Sequence, residues 1–276
     1  MPALTQRIRP FALMLSICAV QALAACGGGG GATPTTAGGS GTTTTGGTSP
    51  AGSPSSTGTS GTVDVVAHTF KANATGSGSS PMTTPAITTP GAGSLILVQV
   101  LTQNPGTFAG LSDNKGNHYV EIGTAQTYAG GAGSELFACP DAVGGPGHTW
   151  TLTKPPGYET NEASIYVVVL AGSSGVGNWS YSGSSAYGGA PIMTTASNSV
   201  VVSFWGPADY TGAVNMYTPP PGWIKGDSNV NSANETTGAD AWTSVAAAGS
   251  PVDPIWSAAT AITNPTGSMW LVEAKP

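Results

Sequence analysis

Ser94-Leu95-Ile96-Leu97-Val98-Gln99-Val100-Leu101 places six aliphatic side chains in eight positions. Successive residues of a strand point to opposite faces, so this run is apolar on both. Such a strand is expected to be central and covered on each side. Ile165-Tyr166-Val167-Val168-Val169-Leu170, within 163–171, has the same character, as does 198–205, ending in Ser203-Phe204-Trp205. Helical periodicity is nearly absent, because Gly and Pro interrupt almost every window.

Around these runs lie weaker strand signals separated by turn clusters. Residues 63–72 alternate, and 82–89 are extended but broken by Pro85. Asp113-Asn114-Lys115-Gly116-Asn117 is a turn, since Asp and Asn bond their own backbone and Gly accepts a positive φ. Strands are expected over 118–128, 134–139 and 148–153, the last with Trp150 and Leu152 inward. Pro219-Pro220-Pro221-Gly222 opens a section where Trp223, Trp242, Trp256 and Trp270 each sit in short strand-like pieces. The whole predicts an all-β fold, a single jelly-roll-like sandwich of roughly ten to twelve strands over 62–276. No period of fixed length is visible, which argues against a repeat protein. Tandem immunoglobulin-like domains are the alternative. The continuous strands are spread through the chain, which favours one core.

The N-terminus reads as an export signal. Arg7 and Arg9 precede an apolar segment from about Phe11 to Ala25, with no acidic residue. A positive start, a short apolar stretch and small residues at its end have the layout of a signal peptide. A spanning helix needs ~20 apolar residues. Residues 27–61 contain only Gly, Ala, Thr, Ser and Pro. That composition cannot bury enough surface to offset its ordering entropy, so a disordered tether is expected. As a Gly/Ser coil it spans ~30–35 Å, from ~5–6 Å × √n. The expected organisation is a signal peptide at 1–25, Cys26 and the tether at 26–61, and the folded domain at 62–276.

Leu23-Ala24-Ala25-Cys26 resembles the lipobox of bacterial lipoproteins. The resemblance implies that Cys26 starts the mature chain and carries lipid on its sulfur and amine. It also implies, because Gly27 is not Asp, passage to the outer membrane. Each buried lipid CH₂ contributes ~0.8 kcal/mol, so several chains on one Cys anchor the protein without a spanning helix. A chance cysteine after an ordinary secretory signal is the competing reading.

Charged residues make up 7% of the chain. Without Arg7 and Arg9, five lysines face thirteen acidic residues, and nothing supplies the basic face that nucleic acid requires. With Cys18 in the signal and Cys26 as the lipid site, Cys139 is left alone. The folded domain then has no intrachain disulfide. Cys139 lies in the apolar run Glu135-Leu136-Phe137-Ala138-Cys139 and reads as a small buried hydrophobe.

A second resemblance rests on several pieces in order. They are Gly93 to Val98, Asp113-x-x-Gly116-Asn117-x-Tyr119, the His148-Thr149-Trp150-Thr151-Leu152-Thr153 strand behind its Gly-rich turn, 165–172, 194–202 and the Trp-rich end. Together they resemble a jelly-roll module of secreted and surface bacterial proteins. The resemblance implies a β-sandwich and carries over no catalytic residue. Where that module has Glu-Tyr-Ser-Gly, this chain reads Ala171-Gly172-Ser173-Ser174.

Chemistry is sparse. No Gly-x-Ser-x-Gly elbow is present. His68, His118 and His148 lack metal-ligand spacing and read as strand histidines. Glu121, Glu135, Glu159 and Glu162 are glycosidase candidates by residue type, but no short motif pairs two of them. Asp113, Asn114 and Asn117 offer oxygens. So do Asp227, Asn229 and Asn231, whose i, i+2, i+4 alternation suits calcium. That loop lacks the Gly and Glu of an EF-hand, and a structural turn is the plainer reading. Trp150 and Trp270 are expected in the core. Trp179, Tyr181, Tyr187 and Trp223 are the candidate ligand-binding aromatics, since Trp and Tyr dominate binding hot spots. The leading expectation is a non-enzymatic surface lipoprotein that binds a glycan or a host-surface partner. A glycoside hydrolase and an envelope or appendage component are the alternatives.

Overall fold

The computed structural model describes residues 61–73, 80–102, 110–128, 132–154, 163–185, 187–207, 216–229, 236–262 and 266–276. The signal segment, Cys26, nearly all of the tether, Glu159, Glu162 and Asn231 lie outside them. In chain order the strands of the first half are β1 (Asp64–Asn73), β2 (Met82–Thr83), β3 (Ser94–Thr102), β4 (Gly110–Asp113), β5 (Val120–Glu121), β6 (Gln126–Tyr128), β7 (Ala132–Ala142), β8 (Trp150–Thr153) and β9 (Ala163–Ala171). The second half supplies β10 (Gly175–Ser182), β11 (Ile192–Met193), β12 (Ser199–Gly206), β13 (Tyr217–Thr218), β14 (Ile224–Ser228), β15 (Ala239–Val245), β16 (Pro251–Val252), β17 (Ser257–Ala258) and β18 (Ser268–Lys275).

The expected all-β sandwich is present. One large sheet has the order β1-β9-β3-β7-β5, with β6 also on β7. The other has the order β10-β18-β12-β15-β14. The three continuous apolar runs are β3, β9 and β12, each the interior of its sheet and buried along nearly its whole length. Both faces of each large sheet are covered, as the sequence demands. Between the sheets, Leu95, Leu97, Leu101, Leu136, Tyr166 and Val168 meet Val200, Val202, Phe204, Trp270 and Val272. The outer face of the first sheet is covered by a small sheet, β2-β8-β4, which brings Met82, Trp150 and Leu152 against Ile96, Val98, Ile165 and Val167. The outer face of the second is covered by β11-β16 and β13-β17, with Ile192, Tyr217, Val252 and Trp256 against Val201, Trp205 and Leu271. The molecule is thus four layers deep.

Each large sheet is built from one half of the chain, so the strands do not shuttle between sheets as in a jelly roll. The two halves also repeat each other. The four long strands of the first half lie in the order first, fourth, second, third, and so do those of the second half. A fifth short strand, β5 or β14, pairs the third long strand in each. The ladders agree in detail. The first long strand has a register shift at the same place, between Val65 and Ala67 and between Val176 and Trp179. Phe70 lies opposite Tyr166, and Tyr181 opposite Trp270. The expectation of a non-repeating chain is therefore corrected: the domain is a structural duplication with a pseudo-twofold axis between β3 and β12. The repeat leaves no sequence period because any aliphatic pair satisfies a buried strand, while the covers differ. β8 pairs both β2 and β4, whereas β16 and β17 divide that work.

Leu97 is fully buried in the central core. Leu97→Ala is expected to cost ~2–5 kcal/mol, read as a lower urea midpoint with an unchanged slope.

Candidate functional site

The sheets stack edge on edge. His68 of β1 bonds Asp227 of β14, and Trp270 Nε1 of β18 donates to Ser134 Oγ of β7 at 2.8 Å. The ring of Trp179 of β10 lies over Gly123, just after β5. The β1/β14 edge and the β5/β10 edge are therefore twofold counterparts, and their chemistry differs.

The first edge is polar. His68 Nδ1 lies 2.8 Å from Asp227 Oδ2, and the His68 ring is 5.5 Å from that of Trp242. The hydrogen bond to Asp227 raises the His68 pKa, against the lowering effect of burial. Asp227 N–H donates to Asp240 Oδ1 at 2.9 Å. Asp240 is fully buried. Alternation along β15 puts it on the same side as Trp242, facing the central layer. Burial first, and the charge of Asp227 second, push the Asp240 carboxyl up to about 8. It is therefore a neutral acid at neutral pH. Among the described residues its Oδ2 has no hydrogen-bond partner, and neither does Gln99 Oε1. The twofold equivalent of Asp240 is Leu136: Gln99 faces Leu136 and Phe204 faces Asp240 in matching registers. The acid is thus absent from the other edge.

The second edge is aromatic. Trp179 packs 5.9 Å from Trp270, and Tyr181 4.7 Å from it. A Cβ on Gly123 would come within 2.8 Å of Trp179 Cη2, and Gly123 has φ +73. Glycine is required there on both counts. Trp179 nevertheless stays 44% exposed.

Two further carboxylates act as fasteners. Asp113 Oδ1 accepts from the Lys115 and Asn117 N–H groups. Its Oδ2 accepts from Asn117 Nδ2, Tyr119 Oη and His148 Nε2, at 2.6, 2.7 and 2.9 Å. Burial opposes ionisation, but the donors Tyr119, Asn117 and His148 outweigh it and lower the pKa to about 2. Trp150 Nε1 donates to Tyr119 Oη, and His148 Nδ1 lies 3.0 Å from Thr89 Oγ1. Hydroxyl, imidazole and carboxylate stand in the order of a nucleophile, its base and the base's orienter. Thr89 is 6% exposed, however, and its oxygen accepts the Gly145 N–H. The cluster is sealed beneath the stacked His148 and Trp150 rings, 4.0 Å apart. It ties the 113–119 turn to the β8 cover, which explains why Asp113, Gly116, Asn117, Tyr119, His148 and Trp150 stand out as motifs. The oxygens offered to calcium there are engaged: Asn114 Oδ1 accepts from Thr149 N–H, and Asn117 Oδ1 from Val143 N–H. Glu273 plays the same part in the second half, accepting from Asn178, Thr195, Ala196 and Ser199.

The remaining candidates scatter. Trp179 and Tyr181 belong to the aromatic edge. Tyr187 and Trp223 pack on the outer core of the second half, and Tyr187 Oη accepts from Ile262 N–H. The four do not form one platform. Asp227 is engaged by His68. Asn229 follows β14, its N–H bonded to Gly238 O. Among the described residues no three His, Cys, Asp or Glu gather as a metal site. Cys139 is a buried free thiol, its pKa raised by burial. Glu135 is buried and Glu121 exposed. The sequence reading missed Asp240. Its only signal is a lone acid in the apolar stretch Ala239-Asp240-Ala241-Trp242. The chain matches no protein-family model, and comparisons with curated proteins and with solved structures return no match.

Asp240 makes stability pH-dependent with a definite sign. Its folded pKa is raised from 3.8 to about 8. The folded state keeps a proton that the unfolded chain releases, so this contribution is complete at low pH and is lost as pH rises toward about 8. Urea titrations at several pH values should show that loss, and Asp240→Asn should flatten it. An unchanged slope in the variant would contradict the assignment. Asp113→Ala strands the buried His148 and Tyr119 donors and is expected to cost ~3–5 kcal/mol by the same assay.

Proposed function

We propose that this chain is an envelope lipoprotein, anchored through Cys26, whose duplicated β-sandwich is a non-enzymatic binding domain for an extracellular polysaccharide. The observation that carries the binding role is Trp179. It is a large aromatic held 44% exposed at a sheet edge, backed by Trp270 and seated on Gly123. A ring fixed in this way loses little freedom on contact, which is the advantage of a preorganised binding group. Tyr187 and Trp223 serve the outer core instead and are assigned no contact. Asp113 and Glu273 are each saturated by donors and Asp240 is fully buried, so these three carboxyls are poorly placed as a hydrolase's acid or base. The anchoring half of the proposal rests on Leu23-Ala24-Ala25-Cys26 and the uncharged tether after it.

The two halves are tested separately. Palmitate labelling in a bacterial host should mark the full chain and be lost in Cys26→Ser; label retained by the variant would refute the anchor. Pull-down on a panel of insoluble polysaccharides should retain the folded domain, with Trp179→Ala weakening retention about tenfold and Trp223→Ala leaving it unchanged. Equal retention of the Trp179 and Trp223 variants would remove Trp179 from the role.

A further inference from the structure

β1 is the longest strand at an edge of the two large sheets, ten residues from Asp64 to Asn73. Among the described residues it pairs only with β9, so from Asp64 to Ala72 its other side is an open ladder. An open ladder of this length is a template for another strand, and proteins guard such edges with charge. The charges here are Asp64 and Lys71. Both are exposed, and neither makes an ion pair among the described residues. Two exposed apolar side chains lie at the same edge: Val66 of β1, 46% exposed, and Ile224 of β14, 60% exposed. β14 is stacked on β1 through Asp227 and His68.

The two charges are placed to meet across a twofold axis. Positions along β1 are counted by their β9 partners, which skip the bulged Val66. Asp64 then stands an even number of positions from Lys71, so the two side chains share a face. Lys71 lies opposite Ile165 of the outer core, which makes that face the outer one. A second copy, inverted about an axis at His68, sets Ala67 against Thr69, Val65 against Phe70 and Asp64 against Lys71. Each pair matches in face. The opposite charges meet twice, once on each side of the axis. Val65 and Phe70 both pack on the central core, and their pairing carries that core across the axis. Moving the axis by one position sets Asp64 against Asn73 or Thr69 and loses both charge pairs.

The counterpart edge has no such arrangement. Asp64 faces Ala171 as Gly175 faces Lys275, and Lys71 faces Ile165 as Ser182 faces Met269. The equivalents of the two charges on β10 are therefore glycine and serine. Opposite charges directly across a ladder stabilise it, and like charges destabilise it. A foreign strand leaves Asp64 and Lys71 unanswered, whereas an inverted copy answers both. The edge thus selects a second copy of this chain.

We propose that the chain forms an isologous dimer through β1, antiparallel about His68, with Asp64 of each copy against Lys71 of the other. The first sheet then runs on through both copies, and the two β14 edges are brought together behind it, where Ile224 is exposed. The Trp179 edge lies on the opposite side of the sandwich. The proposal therefore stands apart from polysaccharide contact there and from anchoring at Cys26, and neither outcome of those tests bears on it.

Sedimentation equilibrium reads the association, on the chain from position 26 with Cys26→Ser to keep it without lipid. A concentration-dependent equilibrium between monomer and dimer is expected. Lys71→Asp sets like charges across the ladder at both ends and should weaken association about tenfold, as should Asp64→Lys. The double variant Asp64→Lys/Lys71→Asp exchanges the partners and should restore the parent constant to within about twofold. Glu121→Lys, the same change of charge at the other edge of the first sheet, should leave it unchanged. Circular dichroism confirms that each variant is folded, and all of them alter exposed residues. A chain that stays monomeric up to about 1 mM would overturn the proposal. So would an association indifferent to the single reversals, a double variant as weak as the singles, or equal weakening by Glu121→Lys.

Discussion

The structure depends on covering sheets that are apolar on both faces. β3, β9 and β12 leave no side for water, so packing the two large sheets together satisfies only half of the exposed hydrocarbon. The other half must be covered from outside. Burial is worth roughly 25 cal/mol per Å² of apolar surface, and that term outweighs the entropy of ordering the connections into covers. The short strands β2, β4, β8, β11, β13, β16 and β17 exist for this purpose. Some are only two residues long and could not hold as free strands. Asp113, accepting from its own turn and from the distant His148, and Glu273, accepting from distant Asn178, Thr195, Ala196 and Ser199, pin those covers down. Their charge is affordable inside the protein because every lone pair has a donor.

Duplication imposes a second constraint. A pseudo-twofold forces each feature of one edge to have a counterpart at the other, and departures from symmetry then become informative. Phe70 with Tyr166 and Tyr181 with Trp270 keep the pattern. His68 with Asp227 against Trp179 with Gly123, Asp240 against Leu136, and Trp242 against Ala138 break it. The breaks concentrate at the edges of the central layer. One edge carries a polar latch, His68 with Asp227, and the other an exposed aromatic, Trp179. Packing within the second sheet tolerates this because Trp242 of β15 occupies the volume that Gly226 of the adjacent β14, without a side chain, leaves free.

Much of the fold was legible in the chain, for local reasons. β3, β9 and β12 announce themselves because a doubly covered strand has no polar face. The 113–117 turn is readable because Asp, Asn and Gly act on their own backbone. Trp150 and Trp270 are core because their neighbours in the strand are apolar. The candidate site was less legible. Trp179 is exposed where a surface aromatic was expected, but Tyr181, Tyr187 and Trp223 pack inward. That choice is made by packing partners whose positions no nearby residue specifies. The calcium-like alternation Asp227, Asn229, Asn231 could not reveal that Asp227 faces His68, 159 residues away.

The amino-acid sequence alone establishes an all-β chain with doubly buried central strands and an acidic, charge-poor composition. Alternation and composition are properties of neighbouring residues, and neighbours are what a sequence displays. The duplication, the four layers, the burial of Asp240 and the pairing of the two edges come only from tertiary structure. Each is a relation between residues from opposite halves of the chain, and many sequences satisfy an aliphatic ladder equally well. Which polar group ends up beside which is set once the sheets stack, when contacts more than a hundred residues apart are made together.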